Sequence, residues 1–162
     1  MARPDRRANP HAVRAAPPRR QGRTLIVIDA SIAIKWVVSE ADSGAALVLR
    51  SERVCAPDLL IAECANILWK KVRRKELTEQ EALLAARLLQ RADIQLEPMR
   101  DLIELAARLA IALDHPAYDC IYLALAGAMT ADFVTADDVL VRKASSAAIG
   151  VNVRPLSSLL PR

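Results

Sequence analysis

The chain holds 162 residues, 53% of them hydrophobic and 26% charged, with a formal net charge of +4. That is about one domain's length, with enough apolar material to exclude wholesale disorder. No apolar run approaches the ~18–20 residues of a membrane-spanning helix, the Arg- and Pro-rich N-terminus is no secretory signal, and three cysteines without a CxxC pair fit reduced thiols of a cytoplasmic protein.

Residues 1–23 carry seven Arg against one acid, Asp5, whereas the rest of the chain has 16 basic and 18 acidic side chains, a net of −2. With Pro4, Pro10, Pro17 and Pro18 and one large aliphatic residue, Val13, this stretch cannot bury enough surface to offset its ordering entropy. It is predicted to be a disordered basic tail, with residues 24–162 forming the one folded domain. The tail reads as an electrostatic arm toward nucleic acid or as an incidental extension, and the four prolines count against a third reading, a mitochondrial presequence.

From Thr24 the texture changes. Leu25-Ile26-Val27-Ile28 is a two-sided apolar run ending at Asp29, as in a buried parallel strand. Residues 31–38 and 43–51 read as short helices, and Arg53–Ala56 as a strand stopped by Pro57. Asp58 to Arg74 is a long helix striped by Leu59, Leu60, Ile67 and Leu68. The turn after it reads Arg-Lys-Glu-Leu-Thr. Thr78-x-x-Glu81 is a capping box opening a helix to about Asp93, and Ile94–Leu96 reads as a strand. Asp101 to Leu113 is predicted helical, with Leu102, Ile103, Leu105, Ala106, Leu109, Ala110 and Leu113 on one face. His115-Pro116 opens a helix through Met129. Asp132–Thr135 is a strand, Asp138–Ala147 a helix and Val151–Val153 a last strand. Strands alternating with helices predict an α/β sandwich with a mostly parallel sheet. None of the four glycines forms a GxGxxG or GxxxxGK loop, so nucleotide-binding signatures are absent.

Four acids stand where structure alone would not ask for them. Asp29 and Asp137 each follow a strand, and ligands gather at the carboxyl ends of parallel strands. Either could equally be the N-cap of the next helix. Glu63 shares the packing side of its helix with Leu59, Leu60 and Ile67, where an ionised carboxylate is costly unless paired or metal-bound. Asn66, three residues on, offers it a neutral hydrogen-bond partner, and Lys70 an ionic one. Asp119 begins an apolar helix, where the helix dipole also favours it.

If these acids converge, each raises the proton affinity of the others unless a cation neutralises them. Two histidines, one of them His11 in the tail, do not make a zinc site, so any metal ligands are expected to be oxygens. Such donors suit Mg²⁺ or Mn²⁺, and with them phosphodiester hydrolysis.

The stretches Ile28–Trp36, Ala56–Asn66, Tyr118–Ala126 and Phe133–Asp137 resemble, in order and at fitting intervals, the four acidic motifs of PIN-domain ribonucleases, and most of all the VapC-like toxins of bacterial toxin–antitoxin pairs. The resemblance spans about residues 24–156. It implies a PIN-like α/β/α sandwich and a Mg²⁺-dependent endoribonuclease (Mn²⁺ also serving), with Asp29, Glu63, Asp119 and Asp137 as catalytic and metal-binding acids. Asp29 and Asp119 would be the direct ligands, with Ser31, Asn66 and Thr135 supporting, Thr135 by orienting the Asp137 loop. It further implies a cytoplasmic homodimer held by a small antitoxin whose basic side chain blocks the acidic pocket, and which alone links the toxin to DNA. Asp138 adjoins Asp137, but Asp137 completes the Thr-Ala-Asp match.

A different class of reading is a catalytically silent PIN-like module binding RNA or protein; all four acids being present counts against it. A phosphatase of the haloacid-dehalogenase kind would want a second acid at position 31, where Ser31 stands, and a receiver domain an acidic pair that the first strand lacks. With only five aromatic residues, RNA recognition is expected to be largely non-aromatic. Lys70, Lys71, Arg73, Arg74 and Lys75 could hold phosphates, form a solvated helix end, or serve the antitoxin interface.

Overall fold

The computed structural model describes residues 24–147 and 149–159, so the tail expected over residues 1–23 lies outside the described residues. Leu25–Ile28 forms β1, in which Val27 and Ile28 have no exposed surface. Helices α1 (Ala30–Lys35) and α2 (Ser43–Val48) lead to β2 (Arg53–Pro57), then to the long α3 (Leu59–Arg73) and α4 (Glu79–Leu89). After β3 (Gln95–Glu97) come α5 (Ile103–Leu113), α6 (Ala117–Met129), β4 (Asp132–Thr135), α7 (Asp138–Ala147) and β5 (Val153–Pro155).

The strands make one all-parallel sheet in the order β3-β2-β1-β4-β5. Val27 of β1 is in register with Cys55 of β2 on one side and Phe133 of β4 on the other. Helices cover the sheet, α1 packing on α3 and α3 on α4, while α5 packs on α6 and α7. This is the expected α/β/α sandwich, with a sheet wholly rather than mostly parallel. The chain leaves β1 toward β2 and β3, then returns to add β4 and β5 on the opposite side. The order therefore reverses between β1 and β4, and in open α/β sheets the crevice at the carboxyl ends of such a strand pair collects ligands.

The core beneath that crevice is tightly knit. α6 lies against β1, β2 and β4, and its Tyr122 ring stacks on Phe133 with centroids 5.9 Å apart and planes 7° from parallel. Both side chains are fully buried.

Several boundaries differ from the sequence reading. The helix opened by the capping box ends at Leu89 rather than near Asp93, the third strand runs 95–97 rather than 94–96, and the last strand runs 153–155 rather than 151–153. Backbone pairing decides these edges: β3 is fixed by Cys55–Pro57 and β5 by Phe133–Thr135. The apolar stripe of α5 is only partly covered. Ala106 and Leu113 are buried, but Ile103 is 73% exposed, and Ile111, outside the expected stripe, 83%.

The capping box is realised: the Thr78 hydroxyl accepts the Glu81 N–H at 3.2 Å, and the Glu81 carboxylate accepts the Thr78 N–H at 2.7 Å. The turn before it is the glycine-favouring one, with Lys75 left-handed at φ 60°. The N–H of Lys75 reaches the Val72 carbonyl and that of Glu76 the Lys71 carbonyl, each at 2.9 Å, the paired bonds of a Schellman ending. Lys75→Gly relieves a side chain of that conformation and is expected to raise stability by about 0.5–1 kcal/mol, read as a higher urea midpoint at unchanged slope.

Candidate active site

Asp29 leaves the end of β1 in extended backbone (φ −100°, ψ 178°) and caps α1, its Oδ1 accepting the Ile32 N–H at 3.2 Å. Two hydroxyls clasp the same carboxylate. Ser31 Oγ donates to Oδ1 and Thr135 Oγ1, from the end of β4, to Oδ2, each at 2.5 Å. These hydroxyls in turn accept backbone N–H groups of the loop after β4: Ser31 Oγ that of Ala136 at 3.3 Å, and Thr135 Oγ1 that of Asp137 at 3.0 Å. The ends of β1 and β4 are thus tied together through Asp29.

Asp137 caps α7, its Oδ1 accepting from Val139 at 2.8 Å and Leu140 at 3.0 Å. Its Oδ2 lies 3.9 Å from His115 Nε2. Capping and site-building, posed in the sequence as alternatives for Asp29 and Asp137, coexist here because a carboxylate has two oxygens.

Glu63 sits on the second turn of α3, and its Oε2 accepts the Tyr122 hydroxyl of α6 at 2.5 Å. The partner expected for it, Asn66, is exposed and makes no hydrogen bond among the described residues. Three residues along a helix bring side chains to one surface, but Asn66 points out while Glu63 points at α6. Asp119, in the first turn of α6, meets His115 one turn back, with Nε2 3.0 Å from Oδ2. The His115 side chain is 7% exposed.

The four acids come from four separate stretches, and Asp29, Glu63 and Asp119 each feel the charge of at least one other. Burial pushes the Asp29 carboxyl above its ordinary range; Ser31, Thr135 and the Ile32 N–H pull it down, and Asp119 adds to the push. Glu63 is raised by burial, lowered by Tyr122, and raised again by Asp119 and Asp29. Asp119 is raised by burial, lowered by the charge of His115, and raised by Asp137. The Tyr122 hydroxyl is held protonated by burial and by Glu63, so it serves as a donor. The three cysteines are buried and free, as expected; burial above all pushes Cys55 and Cys64 up to about 12 and Cys120 to about 11, which leaves them as inert thiols.

Such a set fits a divalent cation, because carboxylates that raise one another's proton affinity are relieved by positive charge between them. A nitrogen stands beside the oxygen donors expected from the sequence. Among the described residues, the group whose ligand atoms lie within 4.8 Å of one another is His115, Asp119 and Asp137, a nitrogen and two carboxylates. Sequence reasoning misses His115 and Tyr122 as site residues. The signal for both is spacing on or beside α6, where His115 precedes Asp119 by four residues and Tyr122 follows it by three.

Residues 26–145 match the family model described as PIN domain. Among solved structures the chain is similar to PAE2754 from Pyrobaculum aerophilum, 22% identical, with a TM-score of 0.63 over 86% of this chain and 90% of that one. It is similar also to Mycobacterium tuberculosis VapC20, a sarcin-ricin loop cleaving toxin, 20% identical, with a TM-score of 0.57 over 80% of this chain and 99% of that one. No curated protein matches the chain. At these identities the two structures establish likeness of fold.

Proposed function

We propose, from the premise that the chain belongs to the PIN domain family, that it is a metal-dependent endoribonuclease acting as the toxin of a toxin–antitoxin pair. What supports the reading is that Asp29 at the end of β1, Glu63 of α3 and Asp119 of α6 are each raised in proton affinity in part by another acid of the four, Asp119 by Asp137. The toxin among its structural neighbours, described as sarcin-ricin loop cleaving, supports the same reading.

Asp29 and Asp119 would be the direct ligands of the cation, with Glu63 and Asp137 completing the acidic set and His115 beside them. When bound, Mg²⁺ or Mn²⁺ supplies Lewis acidity that polarises a phosphoryl oxygen and eases deprotonation of water. The chain's own residues do the positioning. Ser31 and Thr135 fix the Asp29 carboxylate by donating to different oxygens. Tyr122 holds Oε2 of Glu63 by donating its hydroxyl, which leaves Oε1 as the carboxylate's other acceptor for the cation or the attacking water. The cap at Oδ1 of Asp137 leaves Oδ2 turned to the site.

The partners are RNA as substrate, a second copy of the chain in a homodimer, and a small antitoxin whose basic side chain enters the acidic pocket; DNA is met only through that antitoxin. The working compartment is the cytoplasm. No helix among the described residues is long and apolar enough to cross a membrane.

The test is incubation of the purified chain with a circular RNA. Cuts should appear with Mg²⁺ or Mn²⁺ and vanish with EDTA. A chain that binds the RNA yet leaves it intact with both cations would instead be the silent module. Glu63→Gln is expected to weaken divalent-cation affinity about 10-fold or more, by isothermal titration. Unchanged affinity would place Glu63 outside the ligand set.

A further inference from the structure

We propose that the cavity bordered by Ser31 and Ala136 is a phosphate subsite for the RNA strand, gripped by Lys70 of α3 and by Arg74, which caps that helix; this deepens the endoribonuclease reading and rests on it. The cavity measures about 350 Å³, and its charged lining is Lys35, Lys70, Lys71 and Arg74 against Glu40 alone. Ser31 joins it to the acidic centre, because the hydroxyl that donates to Asp29 accepts from the N–H of Ala136 on the cavity wall.

A cluster of carboxylates repels a polyanion, so a strand lying across the centre needs fixed positive charge beside it. The basic run on α3 offers five candidates, and the structure sorts them. Lys71 is taken up by Glu40 at 2.5 Å and Glu76 at 2.9 Å. Arg73 lies over the Trp69 ring, 5.5 Å from its centre. Lys75 forms the left-handed turn. From α1, Lys35 is held by Glu40 at 3.0 Å and the Ala41 carbonyl at 2.9 Å.

Lys70 and Arg74 remain. Lys70 has no ionic partner among the described residues, and Arg74 only approaches Glu76, at 3.9 Å, with its side chain 69% exposed. The two stand four residues apart, one turn along the same side of the helix, and both line the cavity. Glu40 and Glu76 balance the charges of Lys35 and Lys71, so Lys70 and Arg74 carry the cavity's remaining positive charge.

The experiment measures binding of a labelled single-stranded RNA to the full chain carrying Asp119→Asn, in Mg²⁺, over roughly 50–300 mM KCl. Adding Lys70→Ala with Arg74→Ala is expected to flatten the slope of log affinity against log salt by about 1.4, some 0.7 for each single-strand phosphate that is no longer neutralised. Affinity at ~100 mM KCl should fall roughly tenfold, alike for different RNA sequences. Arg87→Ala, an exposed cation on α4, should leave the slope unchanged. An unchanged slope in the double variant overturns the subsite, as it would if these two residues served a protein partner instead. An equal loss with Arg87→Ala overturns it in favour of diffuse charge. If the parent chain, with Asp119 intact, cuts RNA in any of these cases, the endoribonuclease reading stands without the subsite; if it cuts none, both fall.

Discussion

Asp29→Asn and Asp119→Asn should each lower divalent-dependent RNA cleavage on the order of 10³-fold or more, while far-ultraviolet circular dichroism stays that of the parent. The expected size follows from the several kcal/mol that a well-held divalent cation contributes to stabilising charge on a phosphoryl group, each ~1.4 kcal/mol being tenfold in rate. Asparagine keeps the shape of either side chain and removes its charge. At Asp29, it also replaces one acceptor oxygen by an amide, so one of the Ser31 and Thr135 hydroxyls would have to turn away. At Asp119 the Nε2 of His115 loses an anionic partner, leaving Asp137 as its nearest acid. Cleavage retained in both variants would defeat the assignment of the centre.

Stability should depend on pH in opposite directions with and without cation. Asp29, Glu63 and Asp119 all hold their protons more tightly in the folded chain than in the unfolded one. The native state therefore binds more protons over the interval above the ordinary carboxylate range, and in EDTA the stabilisation is lost as pH rises through the folded values. Each tenfold difference in proton affinity is worth about 1.4 kcal/mol. Glu40 works the other way: though burial opposes it, Lys71 and Lys35 hold its carboxyl low, so its contribution disappears on acidification. Metal-free protein should then be most stable at mildly acidic pH and melt earlier as pH rises above that range. Saturating Mg²⁺ should reverse that slope, because the ionised carboxylates then have a cation. Calorimetric melting at a series of pH values checks both arms, and Asp119→Asn in EDTA should show a shallower fall than the parent.

Much of the fold is written locally. The run Leu25–Ile28 is apolar on both faces because helices cover both sides of β1, and the Thr78–Glu81 box specifies the start of α4 by chemistry four residues long. The acids are legible because each is unusual where it stands: a charge closing a buried strand, or one facing the core side of a helix. What cannot be read from the chain alone is what depends on partners distant in sequence. The edges of β3 and β5 are set by pairing with β2 and β4. Ile103 belongs to the apolar stripe of α5 by spacing, and only the placement of the neighbouring helices decides that it faces outward. Tyr122 reads as a core aromatic and is one, stacked on Phe133, yet its hydroxyl crosses 59 positions of sequence to reach Glu63. His115 is passed over when histidines are counted for zinc, although its spacing from Asp119 is that of one helical turn.

Two of the acids also carry scaffold duties, Asp29 at the head of α1 and Asp137 at the head of α7. Alanine at either position would remove a helix cap worth about 1 kcal/mol together with the charge, and loss of activity could no longer be told from loosening of the crevice. Asparagine caps nearly as well as aspartate. A variant that tests the proposed activity without loosening the scaffold is therefore best built from the amide.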